Sequence, residues 1–154
     1  MTNTDIAWCA GFFDGEGHVS YHRSYPNANT GRVSAQLYAN VPQNTDNIEV
    51  LEFFKSVIGF GEIRGPYKTP KGNDRHIVHY GVNDVEKLLV ILKPYLRSRK
   101  TADFQRALAG YWLHDPKPTA EDYARAAKWQ KKKGCPECGA KWEGMACAEC
   151  GYIR

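Results

Sequence analysis

The chain contains no run approaching 18 apolar residues, the shortest stretch that reads as a membrane-spanning helix, so no span is expected. Its first residues, Met-Thr-Asn-Thr-Asp, lack the basic and apolar regions of a secretory signal, and an intracellular protein is the expectation. Excess charge of either sign is also scarce. The 21 Lys and Arg stand against 17 Asp and Glu, a net charge of +4, which is compatible with a nucleic-acid partner without requiring one. No segment repeats. Cysteine is sparse until the last twenty residues, where four of the five crowd together.

What is present suffices for one ordinary domain and a small module: 154 residues, 42% of them hydrophobic. The basic residues cluster. Arg64, Lys68, Lys71 and Arg75 outweigh Glu62 and Asp74; Arg97, Arg99, Lys100 and Arg106 face Asp103 alone; Lys131, Lys132 and Lys133 form a third group. Any one cluster taken singly reads as a solvated face.

Residues 9–17 read Cys-Ala-Gly-Phe-Phe-Asp-Gly-Glu-Gly. On a helix, Ala7, Gly11 and Gly15 fall at i, i+4 and i+8 and make one stripe almost without side chains. Each glycine costs about 1 kcal/mol relative to alanine in a helix. The stripe permits close approach of another backbone. Trp8, Phe12 and Phe13 lie off it and are predicted to feed the core. Asp14 and Glu16 arrive where Gly15 and Gly17 would end the helix. Two such helices packed along the stripe would bring their terminal carboxylates together. The plain alternative is a glycine-rich helix end with a solvated Glu.

Periodicity places the elements. Helix 1 is predicted over about Asp5–Asp14, capped by Thr4 or Asp5. A strand His18–Ser24 follows, then a turn marked by Pro26, Asn27, Asn29 and Gly31. In the next strand Val33, Ala35, Leu37, Ala39 and Val41 alternate with Ser34, Gln36, Tyr38 and Asn40. One face suits a core; the other is polar and uncharged. Asp46 with Glu49 gives a capping-box pattern before a helix bearing Leu51, Phe54, Val57 and Ile58, stopped by Gly59. Gly61–Tyr67 and Arg75–Val82 read as a hairpin, with Val78, Tyr80 and Val82 inward. Asn83 or Asp84 would cap a third helix that ends at Pro94. A fourth spans roughly 96–114, and Thr119 opens a fifth, to about Lys133. The order to residue 114 is α-β-β-α-β-β-α-α.

Residues 9–17 resemble the LAGLIDADG motif of the homing endonucleases, with Cys for Leu, Phe-Phe for Leu-Ile, Gly for Ala and Glu for the second Asp. The element order agrees, so the resemblance covers about residues 5–114. It implies an α+β fold with an α-β-β-α-β-β-α core, whose four strands form a curved antiparallel sheet that sits on DNA. It implies a divalent metal, Mg2+ or Mn2+, held by the acid of the eighth motif position, Glu16, and by the Gly15 carbonyl. Val41-Pro-Gln43 resembles the place of an active-site Gln. Pro94 to Lys100 resembles the segment of a basic active-site residue, matched by Arg99 with Lys100 beside it. Arg cannot readily release a proton, so a charge-stabilising role fits Arg99 better than a general base. Asp14, the motif's first acid, is expected to hold structure.

With one motif per chain the resemblance implies a homodimer joined through Ala7, Gly11 and Gly15, cleaving double-stranded DNA by phosphodiester hydrolysis at a long pseudo-palindromic site. A carboxylate pair with Mg2+ neutralises the phosphate and lowers the pKa of water. Readout falls to Ser20, His22, Gln36, Tyr38, Asn40, Arg64, Arg75 and His79 on the strands' polar face, where Arg and Gln suit guanine and adenine edges. His18, His76 and His114 read as surface or core residues without a ligand. A non-cleaving DNA-binding regulator and an intron RNA maturase are alternatives on the same fold.

Cys135-Pro-Glu-Cys138-Gly and Cys147-Ala-Glu-Cys150-Gly are two CxxC knuckles with eight residues between them. Four thiolates at this spacing suit one tetrahedral Zn2+, which would supply the folding free energy that a segment this short lacks. Two disulfides or a redox pair are the alternatives, and nothing indicates an oxidising compartment. Cys9 is left over as a core residue. The expected organisation is an endonuclease core at 1–116, a linking helix at 117–133 and a zinc-ribbon-like module at 134–154. Lys131 to Lys133 and the ribbon would either extend the DNA footprint or merely cap the core.

Overall fold

A computed structural model describes residues 2–68, 74–133, 142–143 and 146–147, with side chains through residue 128. The chain divides into two units. The first comprises Met1–His22 and Gln36–His114, the second Arg23–Ala35 and Asp115–Arg154.

In the first unit, α1 (Asn3–Glu16) starts at Thr2, not at Thr4 or Asp5, and Asp5 closes a capping box with it. The Thr2 hydroxyl accepts from Asp5 N–H at 3.2 Å, and the Asp5 carboxylate accepts from Thr2 N–H at 2.9 Å, satisfying two otherwise orphaned donors. These bonds hold the Asp5 carboxyl below its ordinary pKa. The helix runs two residues past the predicted Asp14 and ends at Gly17. A Cβ on Gly17 would lie 2.5 Å from the Phe13 carbonyl oxygen and ring, so close approach reserves this position for glycine.

Strand β1 (His18–Arg23) leads to β2 (Ala35–Asn44), and β3 (Glu62–Tyr67) and β4 (Arg75–Tyr80) complete a four-stranded sheet in the order β1-β2-β4-β3. Two helices lie between and after the strand pairs: α2 (Ile48–Ile58) and α3 (Val82–Leu92). The predicted Asp46/Glu49 box does not form. A 3-10 turn over Thr45–Asn47 takes up Asp46, and α2 begins beyond it without a side-chain cap. Its far end is as expected, with Gly59 at φ 87°, a left-handed conformation that favours glycine. Gly81 precedes α3, so Asn83 and Asp84 fall in the first turn and Val82 is helical, not the last core position of a strand.

The fourth helix, α4, is shorter than predicted, Lys100–Trp112. The reason is Asp14. Its carboxylate accepts from the Arg97 and Ser98 amides at 2.7 and 3.2 Å and from the Ser98 hydroxyl at 2.6 Å, holding residues 97–98 out of a helix.

Strand parity sorts the sheet into two faces. Val19, Leu37, Ala39, Val41, Val78 and Tyr80 are buried with Cys9, Ala10 and Phe13 of α1, Leu51 and Phe54 of α2, Val85, Leu88 and Leu92 of α3, and Phe104 of α4. Cys9 is fully buried, and burial pushes its thiol up to about 12. Trp8 departs from expectation, remaining 42% exposed. The buried arc of α1 is Ile6-Cys9-Ala10-Phe13, and Trp8 and Phe12 project between that arc and the small stripe.

In the second unit, α5 (Ala120–Lys133) opens at Thr119, which exchanges capping bonds with Asp122. Asp122 is 1% exposed. Arg23 reaches it through Nε at 3.2 Å and Nη2 at 2.9 Å, and also donates to the Asp115 and Lys117 carbonyls. Arg125 bonds Asp122 and the carbonyls of Arg23 and Ser24. One buried carboxylate thus ties the end of β1 to α5. Further on, β5 (Trp142–Glu143) and β6 (Ala146–Cys147) pair antiparallel. Cys135, Cys138 and Cys150 lie outside the described residues, as do the side chains of Cys147 and of Lys131, Lys132 and Lys133.

Candidate functional site

The C-terminal end of α1 places Glu16 at the surface, and among the described residues its carboxylate has no hydrogen bond or ion pair. The carbonyls of a helix's last turn lack helical partners, which leaves the Gly15 oxygen available, and the helix's negative end favours a cation. Hard oxygen donors of this kind suit Mg2+. Lys100 reaches the same place. Its Nζ donates to the Gly17 carbonyl oxygen, one residue beyond Glu16. Arg99 does not. Its side chain is 89% exposed, and its Nε lies 3.8 Å from Asp103. Of the two basic residues predicted together, the fold therefore brings only Lys100 to the helix end. Gln43 sits near the end of β2, opposite His76, and its Oε1 accepts from Asn44 N–H at 2.9 Å.

Asp14 faces away into its bonds with Arg97 and Ser98. Burial alone would raise its pKa, but those bonds and the Lys100 charge outweigh it and hold the carboxyl low. It is structural, as its motif position implied.

The sheet's outer face carries the residues expected to face DNA, with the expected parity. His22 Nε2 lies 3.0 Å from Ser20 Oγ and 3.1 Å from Tyr38 Oη. The His22 ring stacks on Tyr38 at 5.6 Å, with His79 6.0 Å from Tyr38 on the next strand. Asn40 pairs across to His79 and Asn44 to Arg75. Gln36 and Arg75 are exposed, and Arg64 is exposed and paired with Glu62 at 2.7 Å.

His18, expected as a surface or core residue, is exposed at the start of β1, in step with Ser20 and His22. Its ring lies 6.3 Å from Tyr38, and partial burial, with Lys100 and His22 nearby, pulls its pKa down. Arg106, Asp103 and His18 also share a pocket with Arg99 and Lys100.

The small stripe is open. Ala7 is half-buried and Gly11 and Gly15 are exposed, and a Cβ on either glycine would meet nothing within 4 Å. Beside it, Trp8 stacks on Phe12 at 5.3 Å and meets Phe53 edge-on at 5.1 Å, with Trp8 and Phe53 both largely exposed.

A small-faced helix ending in an acid thus packs with other helices against a four-stranded antiparallel sheet whose outer face is polar. Residues 9–109 match the LAGLIDADG endonuclease family, and the chain belongs to it. No curated protein matches by sequence. Among solved structures the fold resembles the homing endonuclease I-CvuI in complex with the I-CreI target, with 22% identity, a TM-score of 0.57, and coverage of 83% of this chain and 76% of that one. The homing endonuclease I-TnaI is similar at 22% identity and a TM-score of 0.55, with 82% and 78% covered. I-LtrWI, a LAGLIDADG homing endonuclease bound to target DNA, is similar at 19% identity and 0.57, with 86% of this chain but 45% of that one covered. No helix among the described residues is long and apolar enough to cross a membrane.

Proposed function

We propose that the protein is a homodimeric, divalent-metal-dependent endonuclease that cuts double-stranded DNA at a long pseudo-palindromic site. The observation that carries this reading is the Glu16 carboxylate at the end of α1, without a hydrogen-bond or ion-pair partner among the described residues, and the Lys100 ammonium bonded to the carbonyl of the next residue, Gly17. Glu16 and the Gly15 carbonyl would hold Mg2+ or Mn2+, which would neutralise the phosphate and acidify a water. Lys100 stabilises negative charge building on the phosphate and, unlike Arg99, can also exchange a proton. Gln43 orients water. Ser20, His22, Gln36, Tyr38, Asn40, Arg64, Arg75 and His79 read base edges in the major groove.

A second chain completes the site. Each glycine of the stripe costs helix stability, and nothing among the described residues requires either one. A partner's identical stripe gives them a reason, and the Trp8–Phe12–Phe53 cluster offers apolar surface alongside. A C2 axis there sets two Glu16 carboxylates together. The chain's 45% coverage of I-LtrWI leaves room in that longer chain for a second copy of the fold. Cys135, Cys138, Cys147 and Cys150 bind one structural Zn2+, a role supported by their spacing and by the β5–β6 hairpin that runs into Cys147.

The test is a plasmid-cleavage assay with Mg2+ across a randomised target library. Linearised plasmids sharing one site with two-fold symmetry are expected; binding without any nicking would make the protein a regulator instead.

A further inference from the structure

Beside β1 lies a pocket of about 380 Å3, lined by His18, Ser20, Arg99, Lys100, Asp103 and Arg106 among others. β1 is an edge strand, so among the described residues the backbone groups on its outer side have no strand partner. The other wall is the first two turns of α4. Three cations share the lining with one carboxylate, leaving an excess of positive charge.

Each cation has a partner within the chain. Asp103 takes Arg106 Nη1 at 3.0 Å and Arg99 Nε at 3.8 Å, and Lys100 is anchored on the Gly17 carbonyl. A guanidinium carries five N–H donors, so each arginine keeps most of its donors for a ligand. The occupant must therefore be an anion with several acceptor oxygens. Lys100 stands in both this pocket and the helix-end site, but Gly15 and Glu16 are not in the pocket's lining, so the anion would lie near the reacting phosphate without being it.

We propose that this pocket binds a non-scissile backbone phosphate of the DNA, with Arg106 and His18 as positioning residues. The proposal rests on the reading of the protein as a DNA endonuclease. Arg106 supplies charge-assisted bonds, and His18 supplies a hydrogen bond from the strand opposite. Held there, the strand cannot slide relative to Glu16.

Counterion release makes this measurable. Binding of the full chain to a duplex of arbitrary sequence is followed by anisotropy over a range of salt, with Ca2+ present. Arg106→Gln should flatten the log–log salt slope by about 0.9 for each protomer on the DNA, and Arg106→Lys should restore it. His18→Gln should weaken binding without changing the slope. Lys87→Gln, which removes an exposed cation on α3 paired with Asp84, controls for general surface charge and should change nothing. Melting curves confirm that each variant is folded. An unchanged slope in Arg106→Gln, or a slope not rescued by Lys, overturns the pocket while DNA binding stands. Wild-type binding without cleavage of any library site overturns the endonuclease reading alone, and no salt-dependent binding by wild type overturns both.

Discussion

The Lys100 ammonium donates to the carbonyl oxygen of Gly17, the residue that closes the helix ending in Glu16. Eighty-three residues of chain separate the two, and the bond forms because Asp14 captures the backbone at Arg97 and Ser98. The motif's first acid thus places the basic residue, and its second is left free. Lys100→Met is expected to lower the cleavage rate at saturating protein by about 100-fold or more, the usual scale for a positioned charge or proton donor. Arg99→Gln should cost far less in rate and show chiefly in affinity. Single-turnover kinetics on both variants decide the matter; equal losses would return the role to Arg99.

Glu16→Gln should abolish cleavage and leave DNA affinity close to wild type. The amide keeps the shape of the side chain and removes the charge that would hold Mg2+. Gln43→Ala should slow cleavage less completely, because it would orient water and bind no metal. Parallel binding and cleavage assays at matched metal concentration check this. Cleavage surviving in the Gln variant would remove Glu16 from the site.

Much of this architecture was legible in the sequence because period and parity are local. Leu37, Ala39 and Val41 alternate with Tyr38 and Asn40 and did sort to opposite faces of the sheet, and Gly59 did end α2. Sequence and structure part where a distant residue decides. The start of α4 depends on Asp14, and the contact of Lys100 with Gly17 joins residues far apart in the chain. Trp8 lies off the small stripe, which suggests the core, yet its angle on α1 sets it beside that stripe and leaves it exposed.

Gly11→Leu should separate the protomers while leaving each folded. Its Cβ would enter open space within the chain, and leucine favours a helix over glycine by about 0.5–1 kcal/mol. The variant's monomer should therefore melt no lower than the wild-type monomer, yet sediment as a monomer and fail to cleave. An active monomer in ultracentrifugation would refute the two-fold site.

Asp122 anchors the second unit. Hydrogen bonds from Arg23, then from Thr119 N–H, hold its carboxyl well below the usual carboxylate range. A depressed folded-state pKa means that its contribution is complete above the unfolded value near 3.9 and is lost as pH falls below it. Asp122→Ala leaves Arg23 without its carboxylate and should cost about 3–5 kcal/mol in this unit. Asp122→Asn removes the charge but keeps the shape. Melting curves from pH 5 down to pH 3 should show the wild type losing more stability than Asp122→Asn over that window; parallel curves would show that the carboxylate's ionisation contributes nothing.

The four C-terminal cysteines should bind one Zn2+ per chain, as thiolates at about 2.3 Å. The β5–β6 pairing brings Trp142 opposite Cys147, a hairpin that enters the second CxxC directly, and a segment this short needs metal to fold. Removing residues 134–154 should leave the first unit intact, because the buried cluster among its described residues, Cys9 to Ala107, makes a core of its own. If the module lies on DNA, the truncated protein should bind more weakly with a shallower salt slope, since fewer phosphates are neutralised. Cleavage at saturating protein should persist, because Glu16 and Lys100 are untouched. Elemental analysis of the full chain gives the metal count, and salt titrations of the truncated form give the footprint. Zinc absent from the intact protein would refute the metal site, and an unchanged slope would reduce the module to a cap.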